Sequence, residues 1–355
     1  MSMQMLGTAC EGMDNNKIKI FLNPRKANLG NVTKSICDFV KDNSYPGDLN
    51  LNSYDWITEA ALRMDATYNP NFMFLSYANP YYAAIHTPPN VLMWEKHLEK
   101  LYYEVERFIN QTDYIPIIVG TGGTYVLEDR VDLSYLEGRV NFNWPGSVYA
   151  SVYNSTAKDL KMMKKDNAIQ MVIPRDRLRV MAEEPQEKLP DYFLIARRGF
   201  ALTDADINNI HRVNARDAVI PVSAPRPVNS ISKINKLVRN LLAQQKRVVL
   251  IILEGISCSD FKWDYQPCSN TYSWFTYLPE GFQYLTLGTG LELLKFNVFS
   301  KFCSNNINFN NYLKNLALEG KIIGSKNKIK SAAIGSRKTL THIASGADIT
   351  VECGY

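Results

Sequence analysis

Residues 91–120 read VLMWEKHLEKLYYEVERFINQTDYIPIIVG, and two hydrophobic periods meet within them. Over 91–111, apolar side chains at Leu92, Trp94, Leu98, Leu101, Tyr102, Val105 and Ile109 form a stripe along one side of a helix, while Glu and Lys fill the other. His97 and Lys100 stand among those charges, where a solvated face accounts for both. From Tyr114 the apolar residues become continuous, the pattern of a strand buried on both faces of a parallel sheet. A similar run, NFMFLSYA at 71–78, precedes the helix. Strand, helix and strand on short connections make a crossover unit, which is parallel and right-handed in nearly all cases.

Working outward, KIKIFL (17–22) predicts a strand, and VTKSICDFVKDN a helix with Val32, Ile36, Phe39 and Val40 on one face. SYDWITEAALRMD (53–65) predicts a second helix. Short strands and helical pieces alternate from 139 to 225, ending at DAVIPVSAP. A helix at ISKINKLVRNLLAQQ then leads into KRVVLIILEG, whose VVLIIL core (248–253) is the strongest buried-strand signal in the chain. Beyond it, LELLKFNVFSKF and YLKNLALEG predict helices, and KSAAIG and ADITVEC predict strands. The expected fold class is α/β, or α+β, with a mostly parallel or mixed sheet flanked by helices. A soft boundary in 221–232 separates an α/β region over 1–225, built on the strand-helix-strand core, from a second mixed α/β region over 226–355, unless the two run on as one domain.

At 355 residues with 46% hydrophobic content, the chain can fill one large core or two. Its 40 Lys and Arg against 35 Asp and Glu leave +5, far from the dense basic stripe of a dedicated nucleic-acid binder. Six cysteines without CxxC spacing read as reduced thiols, Cys258 and Cys268 included, which points to a cytoplasmic compartment. No basic-then-apolar leader opens the sequence, and VVLIIL is far below the roughly 20 residues a membrane span needs, so no membrane partner is expected.

The motifs exclude more chemistry than they support. IIVGTGGT places Gly120, Gly122 and Gly123 at a strand end, but the lysine of GxxxxGK[ST] is absent and Tyr125 occupies the third glycine of GxGxxG. No helical stripe begins there to present its N-terminus to an anion, so a tightly turning strand end is the simpler account. Ligands of open α/β sheets nevertheless bind outside the carboxyl ends of strands. Thr121, Gly122, Gly123 and Thr124 are therefore candidates for an anion-contacting loop. By the same logic Glu254, after VVLIIL and ahead of Ser257, Cys258, Ser259 and Asp260, is the candidate general base or metal ligand, against a plain strand-end acid. The four histidines show no metal-binding spacing, and no GxSxG elbow exists. Two basic loops over 324–342 offer Arg337 and Lys338 as phosphate clamps, and the same loops would suit nucleic acid.

The order of strand 71–78, helix 91–111 and strand 114–119, with VVLIILEG later, resembles an alkaline-phosphatase-type fold with its halves reversed. That family carries an Asp-His pair where this chain has VGTGG, and an Asp at the position of Glu254. Its two-metal chemistry does not transfer, and the resemblance is generic α/β patterning.

Three functions fit these observations. The first is a non-enzymatic structural or interaction subunit of a larger assembly, a viral structural protein being one such, with protein partners or copies of itself; 20 tyrosines and 15 phenylalanines would supply contact area. The second is an α/β enzyme or pseudo-enzyme that binds a phosphorylated small molecule or nucleotide. The third is an RNA- or DNA-binding accessory protein using 324–342. The sequence names no cofactor.

Overall fold

The protein is described from a computed structural model over residues 2–7, 18–22, 30–142, 148–181, 189–203, 210–270, 286–288, 290, 330–336 and 349–353. The chain begins with β1 (Ser2–Gly7), β2 (Ile18–Leu22), α1 (Gly30–Asp42), α2 (Asn52–Tyr68), β3 (Phe72–Tyr77), α3 (Asn79–His86), α4 (Val91–Gln111) and β4 (Ile115–Gly120). A middle portion holds β5 (Thr124–Val126), β6 (Asp129–Asp132), β7 (Arg139–Phe142), β8 (Tyr149–Tyr153), α5 (Ala157–Lys165), β9 (Ile169–Pro174), α6 (Arg175–Met181), β10 (Tyr192–Ala196), β11 (Phe200–Thr203) and β12 (Arg212–Asn214). It closes with β13 (Val219–Ser223), a single 3-10 turn, α7 (Ile234–Ala243), β14 (Val248–Leu253), β15 (Gln266–Ser269), β16 (Ser331–Ser336) and β17 (Ile349–Cys353).

Nine strands form the main sheet in the order β15-β13-β4-β14-β3-β16-β1-β17-β2. From β4 to β17 all neighbours are parallel, whereas β13, β15 and β2 run antiparallel to theirs, so the sheet is mixed as the sequence patterning predicts. Every residue of β3 and β14 is buried, and the two-residue period sorts them between layers. Met73, Leu75, Val249 and Ile251 face a layer of α1, α2 and α4; Phe72, Phe74, Leu250 and Ile252 face α7. Each such side chain contributes about 1.5–3 kcal/mol through its burial, which is why continuous apolar runs become central strands.

The chain leaves the sheet at β4 and returns at β13. Between them, β7-β8-β10-β9 form an antiparallel sheet with its own core around Tyr149, Val152, Phe193 and Leu194, while β5 pairs with β12 and β6 with β11. Helix α5 carries a capping box, in which Thr156 accepts from the Asp159 amide and Asp159 accepts from the Thr156 amide.

Helix α4 has the predicted bounds, but its faces differ from the predicted ones. Leu101, Val105 and Phe108 are buried, Trp94 and Leu98 half-buried, and Leu92 is 70% exposed. His97 is buried, not solvated: its Nδ1 lies 3.0 Å from the Tyr54 hydroxyl. Glu104, on the predicted charged face, is fully buried, accepting from Lys100 Nζ at 3.2 Å and from Arg107 Nη2 at 2.7 Å. Helix α2 packs on this side of α4 and turns the expected polar surface into an interface. Such a buried charge persists only because it is paired.

Among the described residues, Cys37, Cys258 and Cys268 are free thiols, and no helix is long and apolar enough to cross a membrane. The predicted helices LELLKFNVFSKF and YLKNLALEG lie outside the described residues.

Candidate functional site

Adjacent parallel strands β4 and β14 end level with one another, Gly120 opposite Leu253, and both turn sharply. A side chain at Gly120 would stand 2.6 Å from the Ile256 carbonyl and 2.8 Å from Pro221, so the close approach requires glycine. The next amides are held by protein acceptors: Thr121 donates to Leu253 O at 3.1 Å, Gly122 to Ile256 O at 3.0 Å, and Gly123 to Asp217 Oδ2 at 2.8 Å. Thr121 Oγ1 in turn accepts from the Gly255 amide at 3.1 Å, tying the two strand ends together. Gly122 has φ +97° and Gly255 φ +81°, backbone that L side chains rarely adopt. No helix follows the glycines; Thr124 opens β5 instead.

Between these two turns lies a cleft of about 330 Å³. Gly123 and Thr124 border it from the first turn, Ser257, Ser259 and Asp260 from the second, and Arg212 and Asp217 from β12 and its connection to β13. Trp94 and Tyr125 supply aromatic walls. The polar groups are ordered by one another. Ser257 Oγ donates to Asp260 Oδ2 at 2.6 Å and lies 2.8 Å from Ser259 Oγ; Trp94 Nε1 donates to Asp260 Oδ1 at 3.4 Å. The Tyr102 hydroxyl donates to the Asp260 carbonyl. Arg212 donates through Nε to Thr124 Oγ1 at 2.9 Å and through Nη2 to the Thr124 carbonyl at 3.3 Å. Burial lowers the Arg212 pKa, opposed by the Asp260 charge, but a guanidinium keeps its proton throughout the physiological range. Arg198 stacks 3.7 Å from the Tyr125 ring centre.

The structure thus brings Gly123 and Thr124 together with the serines and Asp260 behind β14. Glu254 stands apart: its side chain is buried beside β3, where Oε1 accepts from Ser76 Oγ at 2.8 Å, and it does not line the cleft. Its charge adds to burial in raising the pKa of the Tyr81 hydroxyl. Arg337 and Lys338 lie outside the described residues. Of the basic loops, Lys330 is described, with Nζ 3.3 Å from the Tyr68 carbonyl, to which it donates. Among the described residues no group of three or more His, Cys, Asp or Glu side chains is arranged to hold a metal ion.

Arg212, Asp217 and Trp94 were not legible as site residues. Asp217 lies 94 positions from Gly123, and Trp94 lies 166 from Asp260. Nothing local marks either pairing: the return of the chain from the middle portion to β13 brings Asp217 to Gly123, and the placement of β14 beside β4 brings Asp260 to Trp94 of α4. Chemically, the cleft offers carboxylates, hydroxyls and one guanidinium between two rings. Carboxylates can accept hydrogen bonds from hydroxyl groups and a guanidinium can donate to them, and the Ser257 hydroxyl donates to Asp260.

No protein family and no curated protein sequence matches this chain. Among solved structures it aligns with phosphonoacetate hydrolase from Sinorhizobium meliloti 1021, in complexes with phosphonoformate and with phosphonoacetate. Each alignment has a TM-score of 0.35 and 11% identity, and covers 47% of this chain and 48% of the enzyme. The chain therefore spans about half the length of that enzyme, and at this TM-score neither its fold nor its activity is carried over.

Proposed function

We propose that this protein is an α/β enzyme or pseudo-enzyme that binds a small polar molecule in the cleft beyond the carboxyl ends of β4 and β14. The observation that supports this is the convergence of Arg212 and Asp217, from one stretch of chain, with Ser257 and Asp260, from another, on one cavity of about 330 Å³. That volume lies within the ordinary range for small-molecule sites, and a strand-end crevice is where α/β sheets place them. A thermal-shift screen over neutral polar metabolites, phosphorylated metabolites and nucleotides tests it. Ligand at 100 times its Kd stabilises by about 2.7 kcal/mol, and the shift is expected to disappear in Arg212→Leu. No response to any compound would remove the reading.

A second reading, an interaction subunit of a larger assembly, draws on the first turn of α4. Val91, Leu92 and Met93 are 72%, 70% and 42% exposed and adjoin one another, an apolar turn of the kind that partners cover. Light scattering across a concentration series tests it: self-association lost in Leu92→Asp supports a contact between copies, and a strict monomer with no recovered partner counts against it.

A further inference from the structure

We propose that the ligand of this cleft is an uncharged molecule with neighbouring hydroxyls, a sugar ring or the ribose of a nucleoside, and that a phosphate group is excluded; this rests on the cleft being the ligand site proposed above.

Three observations carry it. The first is charge. Among the described residues lining the cleft, Asp217 and Asp260 face one cation, Arg212, so the lining carries a formal balance of one negative charge; two nearby guanidiniums do not line it, Arg198 stacking on the Tyr125 ring and Arg216 donating to Gln170. A phosphate entering there meets two carboxylates for one guanidinium in the lining, and like-charge contact is unfavourable. A hydroxyl instead donates to a carboxylate and accepts from a guanidinium, so neighbouring hydroxyls suit this mixture. Arg212 uses two of its five N–H donors on Thr124 and keeps the others for such a ligand.

The second is the state of the glycine turn. Phosphate loops bind through free backbone amides, and the three amides after β4 donate to Leu253 O, Ile256 O and Asp217 Oδ2. To use the first two, an anion would have to break the contacts that join the ends of β4 and β14, and to use the third it would have to displace Asp217. The Asp217 carboxylate also stands where the phosphate would approach the Gly123 amide.

The third is shape. The Trp94 and Tyr125 rings border the same cavity as the carboxylates. A sugar has one comparatively apolar face of C–H groups and a rim of hydroxyls, which matches an aromatic wall beside acceptors. About 330 Å³ suits one ring or a nucleoside and leaves little room for a longer chain.

Saturation-transfer NMR on the full chain, which detects weak binding, tests the inference. The probes are glucose, galactose, mannose, ribose and adenosine, with glucose 6-phosphate, AMP and inorganic phosphate as charged counterparts. At least one neutral probe is expected to receive saturation, its phosphate ester is expected to bind at least tenfold more weakly, and inorganic phosphate is expected not to compete. Response to the four sugars identifies a carbohydrate, and response to adenosine alone a nucleoside. Asp260→Asn, which keeps an oxygen for Ser257, should weaken the neutral probe at least fivefold; Asp217→Asn, which keeps an oxygen for Gly123, should do the same, with circular dichroism checking that both variants fold. Binding of the phosphate esters or inorganic phosphate in preference to the neutral probes overturns the diol inference and leaves the cleft as a site. Binding that neither variant alters places the ligand elsewhere and overturns both.

Discussion

The Gly123 amide donates to Asp217 Oδ2 at 2.8 Å, so the turn after β4 is pinned by a side chain from the far end of the middle portion. A Cβ on the neighbouring Gly122 would lie 3.1 Å from the same oxygen, on backbone with φ +97°. Gly122→Ala is therefore expected to destabilise by about 1–3 kcal/mol, read from urea denaturation midpoints at constant m-value. A variant as stable as the parent would mean that the turn is not held in this way.

Helix α4 offers a paired test of packing. Leu101 is fully buried against the sheet-facing core, and Leu101→Ala is expected to cost about 2–5 kcal/mol. Its neighbour Lys100, which the sequence places on a solvated face, donates to Asp55 at 2.6 Å as well as to the buried Glu104. Lys100→Ala is accordingly expected to cost about 1–3 kcal/mol, more than a free surface lysine would, because it strips a donor from a buried carboxylate. A loss within about 0.5 kcal/mol, as at an ordinary surface position, would show that Arg107 alone sustains Glu104.

Those two neighbours also mark what the sequence made legible. Runs such as VVLIIL and FMFLSY announce buried strands because nearly all of their side chains are apolar and favour burial, and the Leu101 stripe announces a helix face for the same reason. Glu104 and His97 were misread because a buried polar group depends on partners far along the chain: Tyr54 is 43 positions from His97, and Asp55 is 45 from Lys100. Strand β1 passed unpredicted since SMQMLG has neither an apolar run nor β-branched residues, although it pairs with β16 and β17 inside the sheet. The strand ends bearing Thr124 and Asp260 could be named from sequence. Their meeting with Arg212 and Asp217 follows from topology.

His97 should leave a signature in pH. Burial lowers its pKa from the ordinary value of about 6.5, so the unfolded chain binds the extra proton between the folded value and that figure. Stability contributed by the neutral ring is present above about 6.5 and is lost as pH falls toward the folded pKa. Comparing urea midpoints at pH 7.5 and 5.5, the parent is expected to lose more stability than His97→Gln. Equal losses in the two proteins would show that the ring titrates as freely as it does in solvent.

The most direct test of the binding site is a crystal structure of the full chain with whichever probe gives the strongest NMR signal. Density for that molecule is expected between the turns after β4 and β14, with its hydroxyls against Asp217, Asp260 and Arg212 and its ring beside Trp94 or Tyr125. Density elsewhere, at the 324–342 loops for instance, with the cleft left to solvent, would contradict it.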